Sequence, residues 1–185
     1  MSTAEVLPIP EDPPIADLPE PILRELRSDH AGELGAVWIY RGILAVSRDP
    51  GVRAFALEHQ AAEAAHLDYF VTHLPRAWHT KLAPLWRLAG FLLGAGPALL
   101  GPRAVFATVA AVEDFVDDHY ALQIEMLAAH PAYGALRERL VSFRDDELAH
   151  REDARRKGGG GPIRGVWASL VRSGSAIGAQ IARRV

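Results

Sequence analysis

The chain has 185 residues, the size of one ordinary domain, and 49% of them are hydrophobic, so it can bury a full core without crosslinks. Its 20 Lys and Arg residues nearly balance 23 Asp and Glu residues, and the net charge of −3 argues against a nucleic-acid binder. The sequence has no cysteine, which excludes disulfides, thiolate zinc sites, iron–sulfur clusters and cysteine nucleophiles. Any metal site must therefore use carboxylates and some of the eight histidines as ligands.

The first 21 residues predict a mobile leader ahead of a single domain over 22–185. They contain six of the 13 prolines and five acidic side chains but no basic one. Such a segment favours neither a helix nor a packed strand. It also lacks the basic and apolar pattern of a secretory signal and the arginines of a mitochondrial transit peptide. We therefore expect a protein of the cytoplasmic side.

Apolar residues recur with the period of α-helices along the rest of the chain, and no stretch alternates as a strand does. Prolines and glycines divide this pattern into six helical segments, at about 20–47, 50–73, 82–101, 102–129, 131–157 and 162–184. The glycine run at 158–161 predicts a hinge before the last segment. Six helical segments with short connections predict an all-α helical bundle.

The most apolar segment is 82–101, which ends in fourteen consecutive uncharged residues. Because Pro84, Arg87 and Pro97 interrupt it, we expect it to be too short to span a bilayer, which takes about 20 apolar residues. Two alternatives stay open: its Leu, Phe and Trp side chains insert in a membrane surface, or it packs as a core helix. The amphipathic, basic segment 162–184 presents the same two alternatives.

Two helical segments each carry a Glu and a His three residues apart, Glu63 with His66 and Glu147 with His150. Positions i and i+3 share one face of a helix, so each pair can hold one metal ion. The spacing alone is a weak signal, because it also arises by chance.

Two further acids lie on helix faces that are otherwise apolar. Glu33 is the only charged residue from Ala31 to Tyr40, and Glu113 follows nine uncharged residues. Because burying an unpaired carboxylate is costly, such acids are usually paired or metal-bound. The order Glu, Glu-x-x-His, Glu, Glu-x-x-His on four helices is the ligand set of di-iron and di-manganese bundles. Alternatively, Glu33 is a polar position at a packing flaw, and Glu147 is one more acid of the charged surface around it.

Four stretches of the sequence resemble one known family. They are DHAGELGA at 29–36, PLWRLAGF at 84–91 with LGAG at 93–96, AVED at 111–114 with His119, Tyr120 and Gln123, and FRDDE at 143–147 with His150. From about residue 22 onward the chain is similar to the Coq7 type of demethoxyubiquinone hydroxylase. Two departures from the family pattern are the acidic pair Asp117–Asp118 and the glycine-rich stretch 157–162.

The resemblance implies a ferritin-like four-helix bundle with two additional helices, of which 82–101 is a hydrophobic insertion that faces the membrane. It implies two iron ions, with His119 and Tyr120 near iron and substrate and with the ligands Glu33, Glu63, His66, Glu113, Glu147 and His150. The implied reaction is hydroxylation of the ring of a polyprenyl demethoxyubiquinol by dioxygen, late in ubiquinone synthesis. The resemblance also implies binding to the membrane surface. Together with the cytoplasmic side expected above, this predicts a peripheral protein on the cytoplasmic face of the cell membrane.

Several alternatives stay open at this point. The electrons for the reaction come from the substrate quinol, from NADH or from a partner protein. The sequence is also compatible with a homodimer formed through 82–101. It is equally compatible with a lipid-binding partner protein of ubiquinone synthesis. Two other functions compete with hydroxylation. One is a ferroxidase or iron-handling protein, against which the apolar segment argues. The other is a membrane-surface scaffold that binds quinone or lipid and has a purely structural metal site.

Overall fold

The computed structural model describes residues 14–159 and 164–185, and within these ranges it contains helices and no β-strand. The six α-helices are α1 (Glu20–Val46), α2 (Pro50–His73), α3 (Ala83–Leu100), α4 (Pro102–Ala128), α5 (Gly134–Ala154) and α6 (Arg164–Ala182). The predicted all-α fold and the predicted order of helices are confirmed. The helices α1, α2, α4 and α5 carry the proposed ligands, as in a ferritin-like bundle.

Local signals explain where the helices begin. Pro21, Pro50 and Pro102 lie in the first turns of α1, α2 and α4, where the missing N–H has no helical partner in any case. The side chain of Asp49 caps α2 by accepting a hydrogen bond of 2.9 Å from a backbone N–H. Between α3 and α4, Gly101 has a φ of 99°, which glycine adopts without strain.

The predicted leader differs from the structure over its last residues. Ile15–Asp17 form a 3₁₀ turn, Leu18 is buried, and α1 already begins at Glu20. The prolines here lie before the helix or in its first turn, so they do not prevent it. The remainder of the leader, residues 1–13, lies outside the described residues.

The predicted glycine hinge is described only in part. Residues 155–159 form a short π-helical turn in which Gly158 has a φ of 114°. This backbone conformation lets the chain leave the line of α5. Residues 160–163, which include the rest of the predicted hinge, lie outside the described residues.

Two hydrophobic clusters fill the bundle, one at each end. One contains Phe55 and Phe106, and the other contains Phe70 and Leu140. Along α2, Glu63 lies between Phe55 and Phe70, and the proposed ligands on the other helices lie at the same level. The acidic middle of the bundle is therefore held between two apolar cores, which fix the spacing of its four helices.

Helix α3 lies directly along α1 because glycines allow the two backbones to touch. A Cβ atom added at Gly90 would meet the backbone of Gly35, and one added at Gly94 would meet the backbone of Ile39. Both glycines of α3 are buried. Small residues at this contact therefore set the distance between α1 and α3.

A matched pair of alanine substitutions tests this contact. Gly94→Ala lowers the free energy of unfolding by about 1–3 kcal/mol, because the new methyl group overlaps the α1 backbone. Gly96→Ala, in the same helix, raises it by up to about 1 kcal/mol, because the site is open and alanine favours the helix. Urea unfolding followed by circular dichroism measures both. Equal effects of the two substitutions would contradict the close packing.

The prediction that prolines interrupt segment 82–101 is wrong. Pro84 lies in the first turn of α3 and Pro97 lies inside the helix, so the segment forms one helix of 18 residues. By length and composition alone, α3 is apolar enough to cross a membrane, and only 28% of it is buried in the protein. The outer face exposes leucines such as Leu88, Leu92 and Leu99. Core packing thus accounts for only one face of α3.

Helix α6 also leaves an apolar face exposed, which includes Val166, Leu170 and Ile177. It is attached to α4 through the indole N–H of Trp167, which donates a hydrogen bond of 2.9 Å to Thr108. The predicted amphipathic character of this helix is therefore seen in the structure.

Asp117 and Asp118, the two acids that depart from the family pattern, interact with arginines of neighbouring helices. Asp117 accepts a hydrogen bond of 2.6 Å from Arg144 and lies 2.9 Å from Arg151, both on α5. Asp118 forms an ion pair with Arg172 of α6. These acids therefore hold α5 and α6 against α4.

Candidate metal centre

The six predicted ligands meet in one buried cluster in the middle of the bundle. Their ligand atoms form two overlapping groups, each with all atoms within 4.8 Å of one another: Glu33, Glu63, His66 and Glu147, and Glu63, Glu113, Glu147 and His150. Glu63 and Glu147 belong to both groups. Two bound metal ions would therefore have Glu63 and Glu147 in common, and each group adds one further carboxylate and one imidazole.

Both histidines of the cluster direct the same ring nitrogen to the carboxylates. His66 Nδ1 lies 3.1 Å from Glu147 Oε1 and 3.7 Å from Glu33 Oε2. His150 Nδ1 lies 3.2 Å from Glu147 Oε2 and 3.2 Å from Glu63 Oε1. These Nδ1 atoms are therefore the ligand atoms that the two imidazoles offer.

The outer partners of the two histidines differ. His66 Nε2 lies 3.1 Å from Asp146 Oδ2, so a carboxylate orients this imidazole. The ring of His150 instead packs edge-on against His59, with centroids 4.2 Å apart, and His59 Nε2 lies 3.3 Å from Asp153. Sequence reasoning assigned no chemistry to these outer residues. Each of these outer residues lies one to four positions from a proposed ligand on the same helix. This spacing is the sequence signal by which they could have been found.

Burial and mutual repulsion govern the charges of the cluster. Burial raises the pKa of Glu33, Glu63 and Glu113, and the neighbouring carboxylates raise it further. Burial alone would also raise the pKa of Glu147, but hydrogen bonds from both histidines of the cluster lower it below its usual value. Two divalent cations would neutralise all four carboxylates, so the metal-bound state relieves this repulsion.

One oxygen atom in the cluster tests whether cations fit it. Glu33 Oε2 is buried and has no hydrogen-bond partner among the described residues, and His66 Nδ1 lies 3.7 Å from it. A buried carboxylate oxygen without a partner is costly, and a bound cation would remove that cost. Oxygen and imidazole ligands of this kind suit iron or manganese. The residues of the cluster therefore fit a pair of such ions.

His119 and Tyr120 both lie beside the cluster, with different contacts. The hydroxyl of Tyr120 donates a hydrogen bond of 2.5 Å to Glu33 Oε1, so it touches a candidate ligand. His119 Nε2 lies 3.0 Å from Asp29 Oδ1, which also accepts a hydrogen bond of 2.6 Å from Gln123. No role of Asp29 was predicted from the sequence, because its partner His119 lies 90 residues away in the chain.

A cavity of about 460 Å³ lies against the cluster, between α1, α3, α4 and α6. All four carboxylates of the cluster reach its wall, together with His119 and Tyr120. The rest of the wall consists mainly of small or apolar residues, and the indoles of Trp86 and Trp167 contribute to it. This volume and lining are typical of a site for a small apolar molecule.

Comparison with known proteins agrees with this geometry. The family described as ubiquinone biosynthesis protein COQ7 matches residues 20–182. The chain is 38% identical over 182 residues to the 3-demethoxyubiquinol 3-hydroxylase of Rhodospirillum rubrum, covering 96% of this chain and 83% of that protein.

Two mammalian relatives carry the name NADPH-dependent 3-demethoxyubiquinone 3-hydroxylase, mitochondrial. The human protein is 35% identical over 173 residues, covering 88% of this chain and 77% of the relative. The rat protein is 41% identical over 131 residues, covering 69% of this chain and 60% of the relative. The resemblance on the four sequence stretches is thus confirmed, and the chain belongs to the COQ7 family of ubiquinone biosynthesis proteins.

Proposed function

We propose that the protein is a di-iron monooxygenase that uses dioxygen to hydroxylate the ring of a polyprenyl demethoxyubiquinol at position 3. The observation that carries the proposal is the pair of overlapping ligand groups, which share Glu63 and Glu147 and border an apolar cavity. The named activities of the relatives support the same substrate and the same reaction.

Two iron ions, when bound, activate dioxygen in such a site, and their proposed ligands are Glu33, Glu63, His66, Glu113, Glu147 and His150. The remaining chemistry comes from the protein. Tyr120 holds Glu33 in place through its hydroxyl, and Asp146 orients the imidazole of His66. The apolar wall would exclude water and hold the substrate ring beside the four carboxylates.

The exposed apolar faces of α3 and α6 support a peripheral site on a membrane surface. The cavity lies between these two helices, and their outer faces expose leucines, isoleucines and a valine. A polyprenyl substrate resides in the bilayer, and amphipathic or apolar helices of this kind bind its surface. We place the protein on the cytoplasmic face of the cell membrane, with the substrate entering between α3 and α6.

Reconstitution tests the proposed function. Protein loaded with iron receives dioxygen, a reduced nicotinamide nucleotide and a short-tailed demethoxyquinol, and mass spectrometry follows the quinol. We expect a product heavier by one oxygen atom and no product from the Glu147→Gln variant. Protein that holds two irons but forms no product contradicts the proposal, and iron oxidation without quinol turnover would favour a ferroxidase.

A further inference from the structure

Acidic residues are absent from the two segments of the chain that form its exposed apolar faces. Residues 69–112, which include α3, and residues 154–185, which include α6, contain no Asp or Glu. The same two segments contain eleven of the 20 Lys and Arg residues, and the rest of the chain contains all 23 acidic residues. The net charge of −3 is therefore the sum of two strongly basic segments and an acidic remainder.

Ion pairs within the protein account for only part of this positive charge. Five of the eleven cations pair with carboxylates of α1, α4 or α5: Arg155, Arg156, Lys157, Arg172 and Arg183. Five others are exposed and form no ion pair within the described part of the chain: Arg76, Lys81, Arg87, Arg103 and Arg184. The second set of cations is available to an anion outside the protein.

Available cations lie at both ends of α3. Lys81 precedes the start of the helix, and Arg103 follows its end. The backbone N–H of Lys81 donates a hydrogen bond of 3.1 Å to the backbone oxygen of Val185, so the end of α6 with Arg184 lies beside the start of α3. The exposed leucine row of α3 therefore has positive charge before it and after it.

The positions of Lys81 and Arg103 oppose the electrostatics of the neighbouring helices. Arg103 lies in the first turn of α4, and Lys81 lies just before α3. A helix N-terminus carries a partial positive charge, which disfavours a cation and favours an acid, yet neither helix has an acid in its first turn. Helix stability therefore does not explain these two cations, whereas an external anion would be attracted by the cation and by the helix N-terminus together.

The chemistry of the partner follows from the combination of charge and apolar surface. On α3, Leu92 is 59% exposed and Leu99 is 76% exposed, and on α6 Leu170 is 61% exposed. In a bilayer surface such side chains enter the acyl region, while flanking cations stay at the level of the headgroups. The cavity, whose proposed substrate has a polyprenyl tail, lies between the same two helices. A lipid surface thus fits both the leucines and the cations.

We propose that the face formed by α3 and α6 binds a bilayer surface that carries anionic phospholipids, with Lys81, Arg103 and Arg184 at their headgroups. This inference rests on the membrane placement in the proposed function and adds the class of lipid. Each basic residue near an anionic surface strengthens binding by about fivefold, and this attraction is screened by salt. On a neutral lipid surface only the apolar side chains contribute.

Sedimentation with vesicles tests the lipid class. The full chain is mixed with vesicles of phosphatidylcholine alone or of phosphatidylglycerol and phosphatidylcholine in equal parts. We expect binding to the anionic vesicles to be at least about 25-fold tighter, because two or more cations contribute about fivefold each. High salt should remove most of this difference. Equal binding to the two kinds of vesicle overturns the inference.

Matched double variants test the assigned cations. Lys81→Gln combined with Arg103→Gln should lower binding to the anionic vesicles by about 25-fold and leave binding to phosphatidylcholine unchanged. The control combines Arg137→Gln with Arg139→Gln, which removes two exposed cations of α5, a helix that packs mainly on α4. The control should bind as the wild type does. Equal losses in the two double variants would overturn the assignment to the α3 and α6 face.

Vesicle binding is measured without turnover, so its outcomes separate this inference from hydroxylation. Protein that prefers anionic vesicles but hydroxylates no quinol supports the inference and contradicts the proposed reaction. Protein that hydroxylates a short-tailed quinol but binds neither kind of vesicle overturns the membrane placement together with the inference. That result would assign the exposed face to a protein partner instead.

Discussion

We expect the Glu63→Gln protein to bind neither of the two proposed iron ions, whereas the Glu113→Gln protein binds at most one. The difference follows from the geometry, because Glu63 belongs to both ligand groups and Glu113 to only one. A neutral amide cannot bridge two cations as a carboxylate does. In Glu113→Gln, the group that contains Glu33 and His66 is still complete.

Plasma mass spectrometry of the purified variants measures this expected loss of iron. Glu58→Gln, on the exposed side of α2, serves as the control and keeps the wild-type iron content. Thermal unfolding separates this loss from misfolding, because we expect the metal-free Glu63→Gln protein to melt no lower than the metal-free wild type. Burial raises the pKa of Glu63, so its removal relieves a cost in the absence of metal. Wild-type iron content in Glu63→Gln would contradict the shared ligand.

We expect the replacement of Gly174 by Leu to narrow the cavity without disturbing the metal centre. Gly174 lines the cavity on α6, is exposed, and has no atom within 4 Å of the place where its Cβ would stand. A leucine side chain at this position has room at the mouth of the cavity, where it obstructs the entry of the substrate. We expect the affinity for a short-tailed quinol to fall more than tenfold, which is about 1.4 kcal/mol, with iron content unchanged.

Quenching of the fluorescence of Trp86 and Trp167 by the quinol measures this affinity, because both indoles lie in the cavity wall. The control is Gly165→Leu, at an exposed position of the same helix that faces open space and lies away from the cavity wall. Both substitutions place a leucine at an exposed, open position of α6, so a difference in quinol affinity between them reports on the cavity. Equal quinol affinities in the two variants would place the substrate elsewhere.

The sequence predicted the helices well because their boundaries depend on local chemistry. Pro50 and the cap at Asp49 begin α2 where the sequence indicated. The proposed ligands could also be found, because Glu33 and Glu113 are lone charges on apolar faces and because the other four share helical spacing. Such signals need no knowledge of how the helices are arranged.

Features that depend on the arrangement of helices were not predictable in this way. The sharing of Glu63 and Glu147 between two ligand groups requires the relative positions of four helices. The contact between His119 and Asp29 joins residues that are far apart in the chain. The sequence analysis also predicted that Pro97 interrupts its segment, whereas α3 continues through this proline. We attribute the continuous helix to the packing of α3 along α1, because a proline disfavours the interior of a helix.

Isotope-labelled dioxygen provides the most direct test of hydroxylation at the shared metal centre. Iron-loaded protein turns over a short-tailed demethoxyquinol with heavy-oxygen dioxygen in ordinary water, and mass spectrometry reads the product. We expect a monooxygenase to place one heavy oxygen atom in the new hydroxyl group of each product quinol. A product whose new oxygen comes from water, or no product from protein that holds two irons, would contradict this function.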